Sequence, residues 1–256
     1  MPAILEAVFE CTLGMISENF EDYPEHRINF YNLLHQVVKN CFQAILDLSP
    51  QQFKLVLHSI IWSIKHTMRN VADVGHQTLH ALLEQLATND KAMQNFYQTH
   101  CLDILQHLFS VITDPSLTAG LVQQTTVLAY IFSTIESDSI RVALSPDQLQ
   151  TGLDNVAFVK QYVKDLLKSV YSHLTDAQIE ITVKGFFDLN QDISAFKDHL
   201  RDFLIQIREF SGTDDSDLFL AERELALKQH EEEKRRRQMK VPGIMNPHEL
   251  PEDMQD

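Results

Sequence analysis

The chain has 256 residues, 44% hydrophobic and 22% charged, with a formal net charge of -15 and a pI near 5.1. That is enough for one large domain or a short repeat array. An acidic surface disfavours nucleic acid, whose phosphates need clustered Lys and Arg, and favours basic protein partners. The three cysteines, Cys11, Cys41 and Cys101, are far apart in sequence, which fits a reducing compartment and no disulfide framework. No apolar run approaches the roughly 18 residues of a membrane span, and no basic-then-apolar leader opens the chain.

Only seven glycines interrupt the sequence, and apolar residues recur at helical spacing in block after block, so the fold class is all-α. Ile4, Val8, Leu13 and Ile16 form the first stripe. Ile28, Leu33, Leu34, Val37, Val38, Phe42 and Ile45 form the second, and Phe53, Val56, Leu57, Ile60, Ile61 and Ile64 the third. Val71, Val74, Leu79, Leu82, Leu83 and Leu86 follow, then Leu102, Leu105, Leu108, Phe109 and Ile112, then Leu121, Leu128, Ile131, Phe132 and Ile135. A polar stretch near Ser137–Asp154 is the longest internal loop candidate. Beyond it lie Phe158, Val159, Tyr162, Val163, Leu166 and Val170, then Ile179, Val183, Phe186 and Phe187, then Ile193, Phe196, Leu200, Phe203, Leu204 and Ile207.

Capping chemistry marks helix starts. Ser49-Pro50-Gln51-Gln52 puts an N-cap hydroxyl, a first-turn proline and a returning glutamine in register, and Thr175-Asp176-Ala177-Gln178 repeats the device without proline. Ser145-Pro146-Asp147-Gln148 has the same form in a less apolar setting. Paired in order, the helices give units of roughly 40 residues, the period of HEAT-type hairpins. The clearest pair is Pro50–His66 with Val71–Thr88, where Val71-Ala72-Asp73-Val74-Gly75 offers small residues for close packing. Many hairpins in series, with no single central seam, favour an α-solenoid over a closed bundle.

Chemistry-bearing residues are few. His76 and His80 stand at i and i+4, the zincin spacing, but Gln77 occupies the place of the general-base glutamate and no third ligand is evident. Ordinary surface or part-buried histidines are the preferred reading. The cysteines lie in apolar stripes, and His100 beside Cys101 cannot face it on a helix. Phosphate-binding glycine loops and nucleophile elbows are absent from the sequence, so neither cofactor nor catalysis is expected.

The end of the chain has a different design. Leu218, Phe219, Leu220, Leu225 and Leu227 lie in a helix-like segment, followed by Glu231-Glu232-Glu233 and Lys234-Arg235-Arg236-Arg237. The acids and bases fall at i and i+4, which stabilises a solvated helix by a few tenths of a kcal/mol per pair. A nuclear localisation patch is the other reading of the bases. The last segment, with three prolines, carries Glu249, Glu252, Asp253 and Asp256, an acidic tip suited to a basic patch or to plain solubilisation.

Several stretches resemble one family: Tyr23-Pro24-Glu25-His26-Arg27, Gln52–Leu57, Lys65-His66-Thr67-Met68-Arg69-Asn70-Val71-Ala72-Asp73, Asp103–His107, Phe196–Leu204 and Val241–Glu249. They are similar to the C-terminal region of the receptors for leucine-rich nuclear export signals, in the importin-β (karyopherin) superfamily. The likeness implies HEAT repeats over 1–210, a projecting regulatory helix over 211–240 and a flexible acidic tail over 241–256. It implies Ran-GTP, export-signal cargo and nucleoporins as partners of the whole receptor, without direct nucleic-acid or membrane binding. It also implies shuttling between nucleus and cytoplasm through the nuclear pore. The export-signal groove with its reactive cysteine, and the N-terminal Ran-binding repeats, lie upstream in that family. The segment here would contribute ring closure, part of the Ran interface and autoinhibition by the final helix and tail. The family often has an aromatic where Met245 stands and a cysteine where Gln255 stands. A structural adaptor without transport activity, and a metal-dependent hydrolase at His76 and His80, are the rival classes.

Overall fold

The computed structural model describes residues 23–117, 120–212 and 215–239. Among them the fold is helical, with no strand. The first stripe, with Cys11, lies outside the described residues. The chain divides into two compact units, Met1–Thr213 and Asp214–Asp256.

Helix α1, Pro24–Asn40, starts with proline in its first turn behind Tyr23, which sits in the left-handed region at φ 53. It buries Arg27, Phe30, Tyr31, Leu34 and Val38. That face is rotated from the expected one: Leu33 is 49% exposed and Ile28 only half-buried. The aromatic rings have more area to remove from water than the aliphatics they displace. Tyr31 stacks at 6.0 Å on Trp62, and the Arg27 guanidinium lies 5.9 Å over the same indole. The helix stops at Cys41, so the second stripe breaks there into α1 and a five-residue α2, Phe42–Leu46. Cys41 is thus a half-buried residue at a helix junction, not a member of a continuous stripe.

Helices α3, Pro50–Ile64, and α4, Arg69–Leu86, form the expected hairpin. The Ser49 capping box is closed: Gln52 N–H donates to Ser49 Oγ at 3.3 Å, and Ser49 N–H donates to Gln52 Oε1 at 3.1 Å. Gly75 is where the pair is tightest. A Cβ there would lie 2.3 Å from Ser63 Oγ and 2.9 Å from the Ile64 backbone nitrogen, so only glycine lets α4 approach α3 this closely.

Helix α5, Asp90–Ile112, is capped by Asn89 and leads through a 3-10 turn, Pro115–Leu117, to α6, Leu121–Glu136. Helices α1, α4 and α6 pack side by side as one row, while α3 and α5 meet behind it. The loop expected over Ser137–Asp154 contains a short helix α7, Pro146–Thr151. Ser145 caps it by accepting from Asp147 N–H, but no capping box closes, because Gln148 turns elsewhere. Its Oε1 accepts from Leu144 N–H at 2.7 Å, and its Nε2 donates to Leu153 O and Asn155 Oδ1. Asn155 Nδ2 donates to Ile140 O and Val142 O, while Gln94 Oε1 accepts from Arg141 N–H and Val142 N–H. Ile140 and Leu144 are buried beneath. The segment is an ordered strap held by three side-chain amides.

Helices α8, Asn155–Val170, α9, Asp176–Asp188, and α10, Ile193–Ser211, all reach α6. Thr175 and Gln178 close a second capping box. Phe132 of α6 stacks on Phe186 with centroids 5.8 Å apart and also meets Phe187 and Phe196. Val170 and Ile193, read as stripe members, are exposed because they fall at a helix end and a helix start. At Gly185 a Cβ would meet the His199 imidazole at 2.1 Å, so the ring nests on bare backbone and Nε2 donates to Thr182 O. The second unit holds a 3-10 turn, Ser216–Phe219, and α11, Leu220–Met239.

Candidate functional site

The predicted regulatory residues divide between described and undescribed parts of the chain. Leu218 is buried and Phe219 half-buried, both on the 3-10 turn. Leu220 and Leu227 on α11 are exposed, as are Glu231, Glu232 and Lys234. The side chains of Leu225, Glu233, Arg235, Arg236 and Arg237 lie outside the described residues, and so does the expected i,i+4 pairing. Glu249, Glu252, Asp253 and Asp256, with Met245 and Gln255, also lie outside them.

Among the described residues, two of the grooves on the helical body bear on the candidate residues. The first, about 360 Å³, runs along the row of α1, α4 and α6. Helix α4 lines it with His76, His80 and Glu84, spaced four residues apart so that they share one face. Helix α1 adds His35 and Lys39, and α6 adds Val122, Gln123 and Thr126. His76 is buried, and its Nδ1 donates to Ala72 O at 2.7 Å. Burial pushes its pKa down to about 4, against the pull of that bond. His80 faces Glu84 at 3.5 Å and meets the Tyr130 ring edge-on at 5.1 Å. Burial, then the nearby Lys39 charge, lowers the pKa of His35. The sequence singled out His76 and His80 through their spacing. It carried no sign of His35 and Lys39, which reach the groove only because α1 packs on α4.

The second groove, about 560 Å³, lies between α2 with the start of α3 and the first half of α5. Ile45, Leu46, Pro50, Phe53 and Phe96 make it mainly apolar, with Lys54 and His100 also lining it. Elsewhere along the α3–α5 contact, Lys65 Nζ donates to His107 Nδ1 at 2.9 Å, and His107 Nε2 faces Asp103 at 3.6 Å. Burial and Lys65 lower the His107 pKa. Among the described residues no group of three His, Cys, Asp or Glu side chains converges as a metal would require. Cys101 is buried, and its thiol is pushed up to about 12 by that burial, far from the thiolate a nucleophile needs. Among the described residues no helix is long and apolar enough to cross a membrane.

Stacked helical hairpins with grooves along and behind the rows define an α-helical repeat scaffold of the HEAT type. Residues 1–212 match the family described as CRM1 C terminal, and the chain belongs to that family. It is 53% identical over 256 residues to Exportin-1 of Drosophila melanogaster, covering 100% of this chain and 24% of the relative. It is 42% identical over 260 residues to Protein EXPORTIN 1B of Arabidopsis thaliana, covering 100% and 24%. Exportin-1 of Schizosaccharomyces pombe is 40% identical over 253 residues, covering 98% and 23%. The chain therefore spans about a quarter of the length of these curated relatives. The resemblance read from short sequence stretches extends over the whole chain.

Proposed function

We propose that this chain acts as the C-terminal segment of a nuclear export receptor. In that reading the whole receptor carries leucine-rich export-signal cargo with Ran-GTP from nucleus to cytoplasm, passing nucleoporins at the pore, and performs no catalysis. The observation that carries it is 53% identity over the full chain to a protein named Exportin-1. Residues 1–210 serve as HEAT repeats that help close the ring and meet Ran through their first hairpins. Residues 211–240 serve as a regulatory helix, and 241–256 as an acidic tail that docks on a basic patch. Release of the tail when Ran-GTP and cargo bind is a population shift between two receptor states.

The test uses a full-length receptor carrying this segment. Neutralising Glu249, Glu252, Asp253 and Asp256 as amides raises cargo affinity in the absence of Ran-GTP, and added salt reduces the difference by screening. Unchanged affinity removes the tail from the mechanism. Failure of the full-length receptor to bind Ran-GTP at all favours the adaptor reading instead.

A further inference from the structure

We infer that the seam between α3 and α5 binds a short acidic segment of a protein partner along a stripe of two lysines and three histidines, taking up protons from solvent as it does so. This goes beyond the transport reading and does not depend on it.

The stripe is laid down by the sequence and assembled by the packing. From Leu48 to Ala72 no Asp or Glu occurs, in a chain with 36 acids. Within that run Lys54 and His58 lie on α3 and Lys65 at its C-cap, spaced so that they share one face. All three are exposed. On α5, His100 and His107 stand two turns apart, and both are half-buried against α3. His58 acts electrostatically on both of these rings, and Lys54 acts on His100. Asp103 is the one acid of α5 from Lys91 to Ile112, and it faces His107 at 3.6 Å. Among the described residues no carboxylate pairs with Lys54 or His58.

The chemistry and length of the ligand follow from this face. The net charge of -15 opposes an acidic ligand at long range. At physiological ionic strength that field fades over about 8 Å, so a segment lying on the stripe responds to the stripe. From position 54 to 65 a helix rises about 16 Å, the span of about five extended residues. A short acidic run ends where the stripe ends. A nucleic acid carries its charge on past both ends, over an acidic surface.

Proton uptake comes from the Lys65–His107 bond. An ammonium only donates, so His107 Nδ1 accepts from Lys65 at 2.9 Å and the ring proton sits on Nε2, toward Asp103. Burial and then Lys65 lower the His107 pKa, with Asp103 pulling the other way and His58 adding to the fall. Burial lowers that of His100 as well, against the pull of Asp103 and with His58 and Lys54 adding to the fall. Tyr162 of α8 also senses Asp103 and stays protonated, because burial and then that carboxylate raise its pKa. A ligand carboxylate beside Lys65 draws the ammonium off Nδ1 and offsets the repulsion, so the imidazole gains a proton and becomes a further partner for the ligand. The bound pKa values stand above the free ones, so binding strengthens as pH falls.

The test is backbone-amide NMR of the full chain titrated with N-acetyl-pentaglutamate amide, whose carboxylates stay ionised from pH 6 to 8. Saturable shifts appear in α3 and in residues 99–108. Binding is about fourfold tighter at pH 6 than at pH 8, the scale of fractional proton uptake by two imidazoles. Lys54→Gln with Lys65→Gln, both exposed and harmless to folding, weakens it about fivefold. Lys184→Gln, on the exposed face of α9, leaves it unchanged. His100→Gln with His107→Gln keeps the pH 8 affinity and loses the pH dependence. The inference is overturned by the absence of saturable shifts at the seam, by an equal response to pentaglutamine, or by equal affinity at the two pH values. Tighter binding of a thymidine oligonucleotide of the same charge overturns it in favour of nucleic acid.

Discussion

Gly75 and Gly152 show how differently two glycines serve one chain. At Gly75 a methyl group would collide with Ser63 Oγ and with the backbone at Ile64, which cannot step aside. Gly75→Ala gains about 1 kcal/mol of helix propensity but loses more to overpacking, for a net loss of about 1–2 kcal/mol in urea unfolding. At Gly152 nothing lies within 4 Å, yet φ is +68, so Gly152→Ala costs about 1 kcal/mol through backbone conformation alone. His76 adds a pH dependence. Its folded pKa of about 4 lies below the unfolded 6.5, so its contribution is complete above about pH 6.5 and is lost as pH falls toward 4. At pH 5 the loss is about 2 kcal/mol relative to pH 7. Denaturation of H76F at the two pH values shows a correspondingly smaller difference than the parent. The small residue at position 75 was legible in the sequence, because glycine inside a strong helical stripe implies close backbone approach. The buried state of His76 was not, since it depends on α1 and α6 covering its face.

At the scale of elements, helix starts are written locally and helix faces are not. Two of the three S/T-x-x-Q sequences, at Ser49 and Thr175, closed as capping boxes, while the third did not because Gln148 is drawn to Leu144 N–H and Asn155 Oδ1. Ser49→Ala and Thr175→Ala each cost about 1 kcal/mol of stability in thermal or urea unfolding. The face of α1 was misread because Arg27 and Tyr31 look like surface and half-surface residues until Trp62 arrives from α3 to receive them. The strap was misread for the same kind of reason. Its composition is that of a loop, and its order comes from Gln94, from Gln148 and from Asn155, none of which announces a partner in sequence. Gln148→Ala leaves the buried Leu144 N–H without its acceptor, at a cost of about 1–3 kcal/mol. Hydrogen exchange then quickens over 138–155 while the α3–α4 hairpin keeps its protection.

At the scale of the whole molecule, α6 joins the first row of helices to the last three. Phe132 is the centre of that junction, fully buried against Phe186, Phe187 and Phe196. Phe132→Ala costs about 3–5 kcal/mol. Since each hairpin in a solenoid leans mainly on its neighbours, the loss falls on the junction, and calorimetry resolves two transitions in the variant. The repeat architecture was visible in the period of the stripes, and the family in short residue runs. The irregular end, where three helices converge on α6, was not, because evenly spaced stripes look alike whether or not the hairpins stack evenly.

The close approach at Gly75 also sets where the helical body is stiff. Helices α3 and α4 meet with a serine hydroxyl and a backbone amide seated where a side chain would stand, so they slide only by first lifting apart. Helices α5 and α6 share a shorter seam. A load carried along this stack is therefore expected to deform the α5–α6 pair before the α3–α4 pair.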